Sequence, residues 1–312
     1  MSDGSGEPLR GESGASDHLD RGESGASDHL DREGLRSAFR DRAAFERILD
    51  RTVANNRFTI AVLFPVTGAI LLVASAEGLL PDPLAFNPYL VLFGVAVMRL
   101  PLVSGLAPLV NRRAAGALSL LIAYTYVIEF VGATWGVPYG EFSYEVPLGP
   151  MLLDTIPLGL PMFFIPLALN SYLLCLLLLG PRADRAVLRL PVVATTVVAV
   201  DVVLDPAAVA LGLWSFAGGG FYGVSLANYA GWVLSAVVAT LLVDLAFRRT
   251  TLLKRVESCP YVLDDMVSFV LLWGVINAFY GAWIPVGVAV LFAAWLVHID
   301  RFDFAVLPRG LT

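Results

Sequence analysis

From about residue 58 onward the chain alternates long apolar runs with short polar joints, whereas its first fifty residues contain no long apolar run and many charges. The runs extend from Phe58 to Ala76, Pro88 to Val110, Ala114 to Gly132, Ile156 to Leu179, Val187 to Leu204 and Leu226 to Phe247. About 20 such residues in a helix cross a hydrocarbon core of ~30 Å, so each run predicts a transmembrane helix. The last run, Val262 to Val297, is long enough for two, with Gly281 and Pro285 marking the turn. The expected fold is all-α: a polytopic membrane bundle of about eight transmembrane helices, seven being the alternative.

Two domains are unnecessary. One transmembrane helical domain over residues 51–312 follows an acidic tail over residues 1–50. That tail contains a tandem duplication, RGESGASDHLD at Arg10 to Asp20 and again at Arg21 to Asp31. Its low hydrophobicity and many charges predict disorder, and the two histidines it carries, His18 and His29, would make a weak metal site. No apolar stretch near Met1 suggests a signal peptide.

Composition agrees with the pattern: 57% of residues are hydrophobic and 15% charged, with a mean hydropathy of +0.73. The basic residues gather in alternate joints. Arg51 and Arg57 precede the first run, Arg112 and Arg113 follow the second, Arg182, Arg185 and Arg189 follow the fourth, and Arg248, Arg249, Lys254 and Arg255 follow the sixth. The intervening joints, Glu77 to Asn87, Ala133 to Thr155 and Asp205 to Ser225, hold neither Lys nor Arg. Because short cytoplasmic loops retain positive charge, eight spans place both termini in the cytoplasm of a multi-pass cell-membrane protein.

That orientation sends the chemically richest stretches to the non-cytoplasmic end. In Glu129 to Pro161, the carboxyl groups of Glu129, Glu141, Glu145 and Asp154 lie among Trp135, Tyr139, Phe142 and Tyr144. In Asp201 to Trp232, Asp201 and Asp205 stand four residues apart and so share a helix face, followed by Trp214, Tyr222 and Asn228. Ionisable groups inside a span cost about 2.5–3.5 kcal/mol on insertion scales and are functional candidates by default. Glu129, Asp201 and Asp205 are the leading ones. Blander readings stand beside these. Glu129 could pair with Arg99, mid-way along the second run; Asp205, before Pro206, could end a helix; Trp135 and Trp214 could belong to the aromatic belt that lines any membrane interface. Asn170 reads as a contact between helices or as a group that orients water. Cys175 and Cys259 suit neither a disulfide framework nor a zinc site, and without a second histidine outside the tail neither a histidine metal site nor a Ser-His-Asp triad can form.

The segments GVPYGEFSYEVPLGP and IPLGLPMFFIPLALNSY, then DVVLDPAAVALGLWSF and GGGFYGVSLANYAGW, together resemble the membrane carotenoid hydratases, their haloarchaeal branch in particular. The resemblance covers most of residues 120–250. It implies addition of water to the terminal C=C bonds of a long acyclic carotenoid, of the bisanhydrobacterioruberin-to-bacterioruberin type. Such chemistry needs a proton donor, a site that stabilises a tertiary carbocation, and a positioned water; it needs no cofactor and no metal. Asp201 or Asp205 is the expected acid, with Glu129 or Glu141 positioning water. Trp135, Tyr139, Trp214 and Tyr222 are expected around the cation, and Tyr144, Asp154, Asn170 and Asn228 elsewhere in the substrate site. The carotenoid is the expected partner, within the bilayer, and other enzymes of carotenoid biosynthesis are candidates; nucleic acid is not. Two rivals remain: a membrane prenyltransferase using the Asp201/Asp205 pair to hold Mg²⁺ and a pyrophosphate, and a non-catalytic carotenoid carrier.

Overall fold

In the computed structural model, which describes residues 41–301, the apolar runs become helices: α1 (Phe64–Ala76), entered through a π-helical turn at Thr59–Leu63, α2 (Pro88–Leu106), α3 (Arg112–Trp135), α4 (Pro161–Leu179), α5 (Ala186–Ala210) and α6 (Leu226–Ala246). An amphipathic α7 (Arg249–Ser258) then leads to α8 (Asp264–Phe279) and α9 (Trp283–His298), which split the last run at Gly281 as its glycine suggested. Six helices among the described residues are long and apolar enough to cross a membrane. The chain divides after Ile48. The duplication lies outside the described residues, but residues 41–50, assigned above to a structureless tail, are helical. The unit that begins at Leu49 contains all of α1 to α9.

The helix starts are written locally. Asn87 accepts hydrogen bonds from the N–H groups of Tyr89 and Leu90 and is followed by Pro88, whose missing N–H costs nothing at a first helical position. Asn111 and Ser225 cap α3 and α6 in the same way. One expectation fails at Pro206. The Asp205-Pro206 pair read as a helix end, yet α5 continues to Ala210 with Pro206 inside it. Within a bundle a proline is tolerated where neighbouring helices pack around the bend, and one turn before it the Asn277 amide of α8 donates to the Val203 carbonyl at 2.7 Å.

The arginine-rich joints meet at one end of the bundle, where Arg57 pairs with Asp264 at 2.7 Å and Arg189 with Asp244 at 2.5 Å. At the opposite end, Tyr280 donates to Glu77 at 3.0 Å. The α8 helix leads from the Arg57–Asp264 pair toward the Tyr280–Glu77 contact, and α9 leads back, with Arg301 donating to the Cys259 carbonyl at 3.0 Å. At 16 residues each, these two helices measure roughly 24 Å.

Buried between α2, α4 and α8 sits a further ionic contact. Arg99 pairs with Asp265 at 2.5 Å, Asn170 donates to the same carboxylate, and the Asp265 side chain is fully buried. Arg99 thus has its partner on α8, and the pairing with Glu129 considered from sequence is not made. Removing one member of a buried pair leaves the other charge stranded, at a cost of about 3–5 kcal/mol. Arg99→Leu is accordingly expected to lower stability by that amount in detergent-solubilised unfolding experiments; unchanged stability would show the pair to be dispensable.

The connections are less irregular than the helical pattern implied. Two short antiparallel pairs form within them: β1 (Phe142–Tyr144) with β4 (Trp214–Phe216), and β2 (Met151–Leu152) with β3 (Ile156–Pro157). The first ties the loop after α3 to the loop after α5, with Phe142 opposite Phe216 and Tyr144 opposite Trp214.

Candidate active site

The β1–β4 pair follows the period-two rule of a strand. Phe142, Tyr144, Trp214 and Phe216 all line a cavity of about 350 Å³, while Ser143 and Ser215, between them in sequence, are exposed and hydrogen-bond Glu145 at 2.8 and 2.5 Å. Two loops separated by some seventy residues thereby make one aromatic cover. Beneath it the cavity is walled by Phe163, Phe164 and Leu167 of α4, Trp232 of α6 and Trp273 of α8. Leu71, Leu84 and Leu90 line it as well, yet they are themselves 48, 49 and 53% exposed. The cavity therefore reaches the outer surface of the bundle between α1 and α2.

Polar groups converge on this apolar chamber from three elements. Asp205 lines it from α5, as Trp214 does from β4. Asn228, at the start of α6, donates from its one amide nitrogen to Asp205 at 2.5 Å and to Asp201 at 2.8 Å. An amide –NH₂ has two protons, so a single side chain clamps both carboxyl groups, whose four-residue spacing had placed them on one face. Asp201 lies behind the clamp, fully buried and outside the cavity lining; its Oδ1 atom has no hydrogen-bond partner among the described residues.

Glu129 enters from α3, near the end of the helix. It lines the cavity and accepts a 2.5 Å hydrogen bond from the Tyr144 hydroxyl. Burial, and then the adjacent Glu129 charge, push the Tyr144 phenol well above its usual range, which keeps it a donor. Tyr139 lies 2.7 Å from Ser235, which is 3.0 Å from Tyr124, so its ring is fixed against Trp232 with ring centroids 5.9 Å apart. Gly231 is required there: a Cβ at that position would stand 2.4 Å from the Tyr139 ring.

Of the site residues proposed from sequence, Glu129, Tyr139, Tyr144, Asp205, Trp214 and Asn228 meet at the cavity, and Asp201 stands just behind it. The others do not join them. Glu141 is exposed and contributes its backbone carbonyl to Ala217. Trp135 is 67% exposed and stacks edge-on with Phe130, as an interfacial residue would. Asp154 is exposed in the turn between β2 and β3, Tyr222 is exposed and receives the Ile284 N–H at 3.4 Å, and Asn170 serves the Arg99–Asp265 contact. Glu145 is exposed, and hydrogen bonds from Ser215 and Ser143 hold its carboxyl group below the usual range.

Sequence reasoning passed over Phe164, Trp232 and Trp273, which the bundle brings to the cavity, and considered Arg99, the one cation among its lining residues, only as a partner for Glu129. A mid-span arginine is itself a signal; its partner Asp265 was hidden because it begins a helix at a charged joint.

A profile of the family described as carotenoid biosynthesis protein matches residues 86–296. The chain is 61% identical over 255 residues to the bisanhydrobacterioruberin hydratase of Haloarcula japonica, an alignment covering 82% of this chain and 87% of that protein. No solved structure matches. The matched residues take in α2 to α8, most of α9 and the cavity's Glu129, Asp205 and Asn228, and on both comparisons the chain belongs to the carotenoid biosynthesis protein family.

Proposed function

We propose that this chain is a carotenoid hydratase that adds water to a terminal C=C bond of a long acyclic carotenoid, of the type named in its Haloarcula japonica relative. The observation that carries the reading is the pairing of carboxyl groups with aromatic faces inside one apolar cavity. Asp205 and Glu129 both line it, together with Tyr144, Trp214 and Trp232. At about 350 Å³ it is near the lower end of ligand sites, a size for the end of a polyene whose remainder stays in the hydrocarbon. The opening at Leu71, Leu84 and Leu90 leads there.

In the proposed reaction Asp205, protonated, gives its proton to the less substituted carbon of the terminal alkene. The tertiary cation that results faces Trp214, Tyr144 and Trp232, each ring face contributing about 0.5–2 kcal/mol. Glu129, oriented by Tyr144, holds the water and takes its proton as the C–O bond forms. The product is a tertiary alcohol, and return of that proton to Asp205 closes the cycle.

The prenyltransferase reading loses ground at the same place. The one cation lining the cavity, Arg99, is engaged by Asp265, leaving none to meet a pyrophosphate. Expression in a host that accumulates the unhydrated acyclic carotenoid tests the assignment. Extracted pigment should gain the mass of one water for each reacting end. Pigment bound but unchanged would indicate a carrier, and dependence on Mg²⁺ and a prenyl pyrophosphate would indicate the transferase.

Orientation makes a separate prediction. The lysine- and arginine-free loops face outward if the positive-inside rule holds, so a cysteine at the exposed Ser143 should react with an impermeant thiol reagent added to intact cells. Labelling only after the membrane is opened would reverse the topology.

A further inference from the structure

A second pocket, of about 590 Å³, lies at the arginine-rich end of the bundle, remote in the fold from the carboxyl cluster. It is formed where the first turn of α3, the end of α6 and the first turn of α7 meet, and Arg113, Arg248 and Arg249 all line it. Its acidic lining groups are already engaged. Asp244 accepts from Arg189 at 2.5 Å, from Tyr172 at 2.5 Å and from Arg249 at 3.4 Å, and Asp184 accepts from Arg249 at 3.3 Å. Arg113 and Arg248 form no ion pair among the described residues and are exposed. The pocket therefore carries two uncompensated positive charges.

Its backbone adds to the same field. The α7 helix starts at Arg249 without a side-chain cap; the Thr251 N–H is taken by the Arg248 carbonyl, which leaves those of Arg249 and Thr250, at the positive end of the helix dipole, beside the pocket. Thr250 and Thr251 place hydroxyl groups in the lining, as Asn111 does its amide. Beyond the rim, Leu241 and Leu245 are exposed one turn apart on α6. A cationic pocket with hydroxyl donors, at the end of membrane helices and beside an exposed apolar strip, suits an anion joined to a hydrocarbon tail.

We propose that this pocket binds the phosphate ester of an anionic lipid headgroup, held by Arg113, Arg248 and the start of α7. The test uses the full chain, purified and delipidated in uncharged detergent, with retained lipid read by native mass spectrometry. Phosphatidylglycerol, phosphatidylcholine and inorganic phosphate are the three probes. Phosphatidylglycerol should bind well above phosphatidylcholine, and Arg113→Gln with Arg248→Gln should weaken it about 30-fold, while the corresponding double lysine variant retains most of the affinity. Should the double glutamine variant unfold, Arg248→Gln alone, at an exposed position, should still lose about fivefold. Inorganic phosphate competing as well as the lipid would support the anion site and assign it free phosphate. Undiminished phosphatidylglycerol binding by the glutamine variants, or none by the unaltered protein, would overturn the proposal.

Discussion

Asp205→Asn should abolish hydration while the protein still inserts and folds. Loss of a general acid costs about 10²–10⁴-fold, and the change is nearly isosteric, so product formation should fall by that factor with pigment binding retained. The geometry makes the effect position-specific. Asp205 lines the cavity and Asp201 does not, although the same Asn228 nitrogen serves both. Asp201→Asn should therefore act indirectly, through the clamp, and lower the rate less than Asp205→Asn does. The reverse ranking would make Asp201 the acid and would require the carotenoid end to reach behind Asn228.

Glu129→Gln should be nearly as damaging, for a different reason. An amide can still receive the Tyr144 hydroxyl hydrogen bond and fill the same volume, but it cannot take the proton that water releases. A loss of about 10²-fold or more is expected, within the range for removal of a general base. Tyr144→Phe separates orientation from chemistry: it leaves the carboxylate and removes the 2.5 Å bond that aims it, so its effect should be the smaller. Full activity in Glu129→Gln would leave water positioning to some other group.

The membrane helices could be read directly from the sequence, because hydrocarbon solvent forces long apolar runs. Even the break at Gly281 was visible, and so was the shared face of Asp201 and Asp205. The end of α5 was not, since whether a helix continues past a proline depends on the helices packed around it, such as α8 with Asn277 some seventy residues away. The same distance hid the cover of the site. FSY and WSF each alternate aromatic with serine, a period-two signal, but three residues are too few to stand out. Their pairing depends on where α3 and α5 deliver the loops. Likewise, single-sequence reading could rank the carboxyl groups by depth, separating Glu129 from Glu145, but could not tell that Glu141, twelve residues beyond Glu129, turns outward. Residues contributed by turns were overestimated, and aromatic residues buried within helices, such as Phe164 and Trp232, were overlooked because a ring in an apolar run looks like packing.

The proposed mechanism rests on a proton passing from Asp205 to a terminal alkene carbon, with water captured at the neighbouring carbon. Incubation of the purified protein with the unhydrated carotenoid in D₂O, then washing in ordinary water and mass analysis, tests it directly. One carbon-bound deuterium should be retained for every hydroxyl gained, and neither deuterium nor hydroxyl should appear with Asp205→Asn. Hydroxylated pigment without carbon-bound deuterium, or undiminished deuterated product from Asp205→Asn, would contradict it.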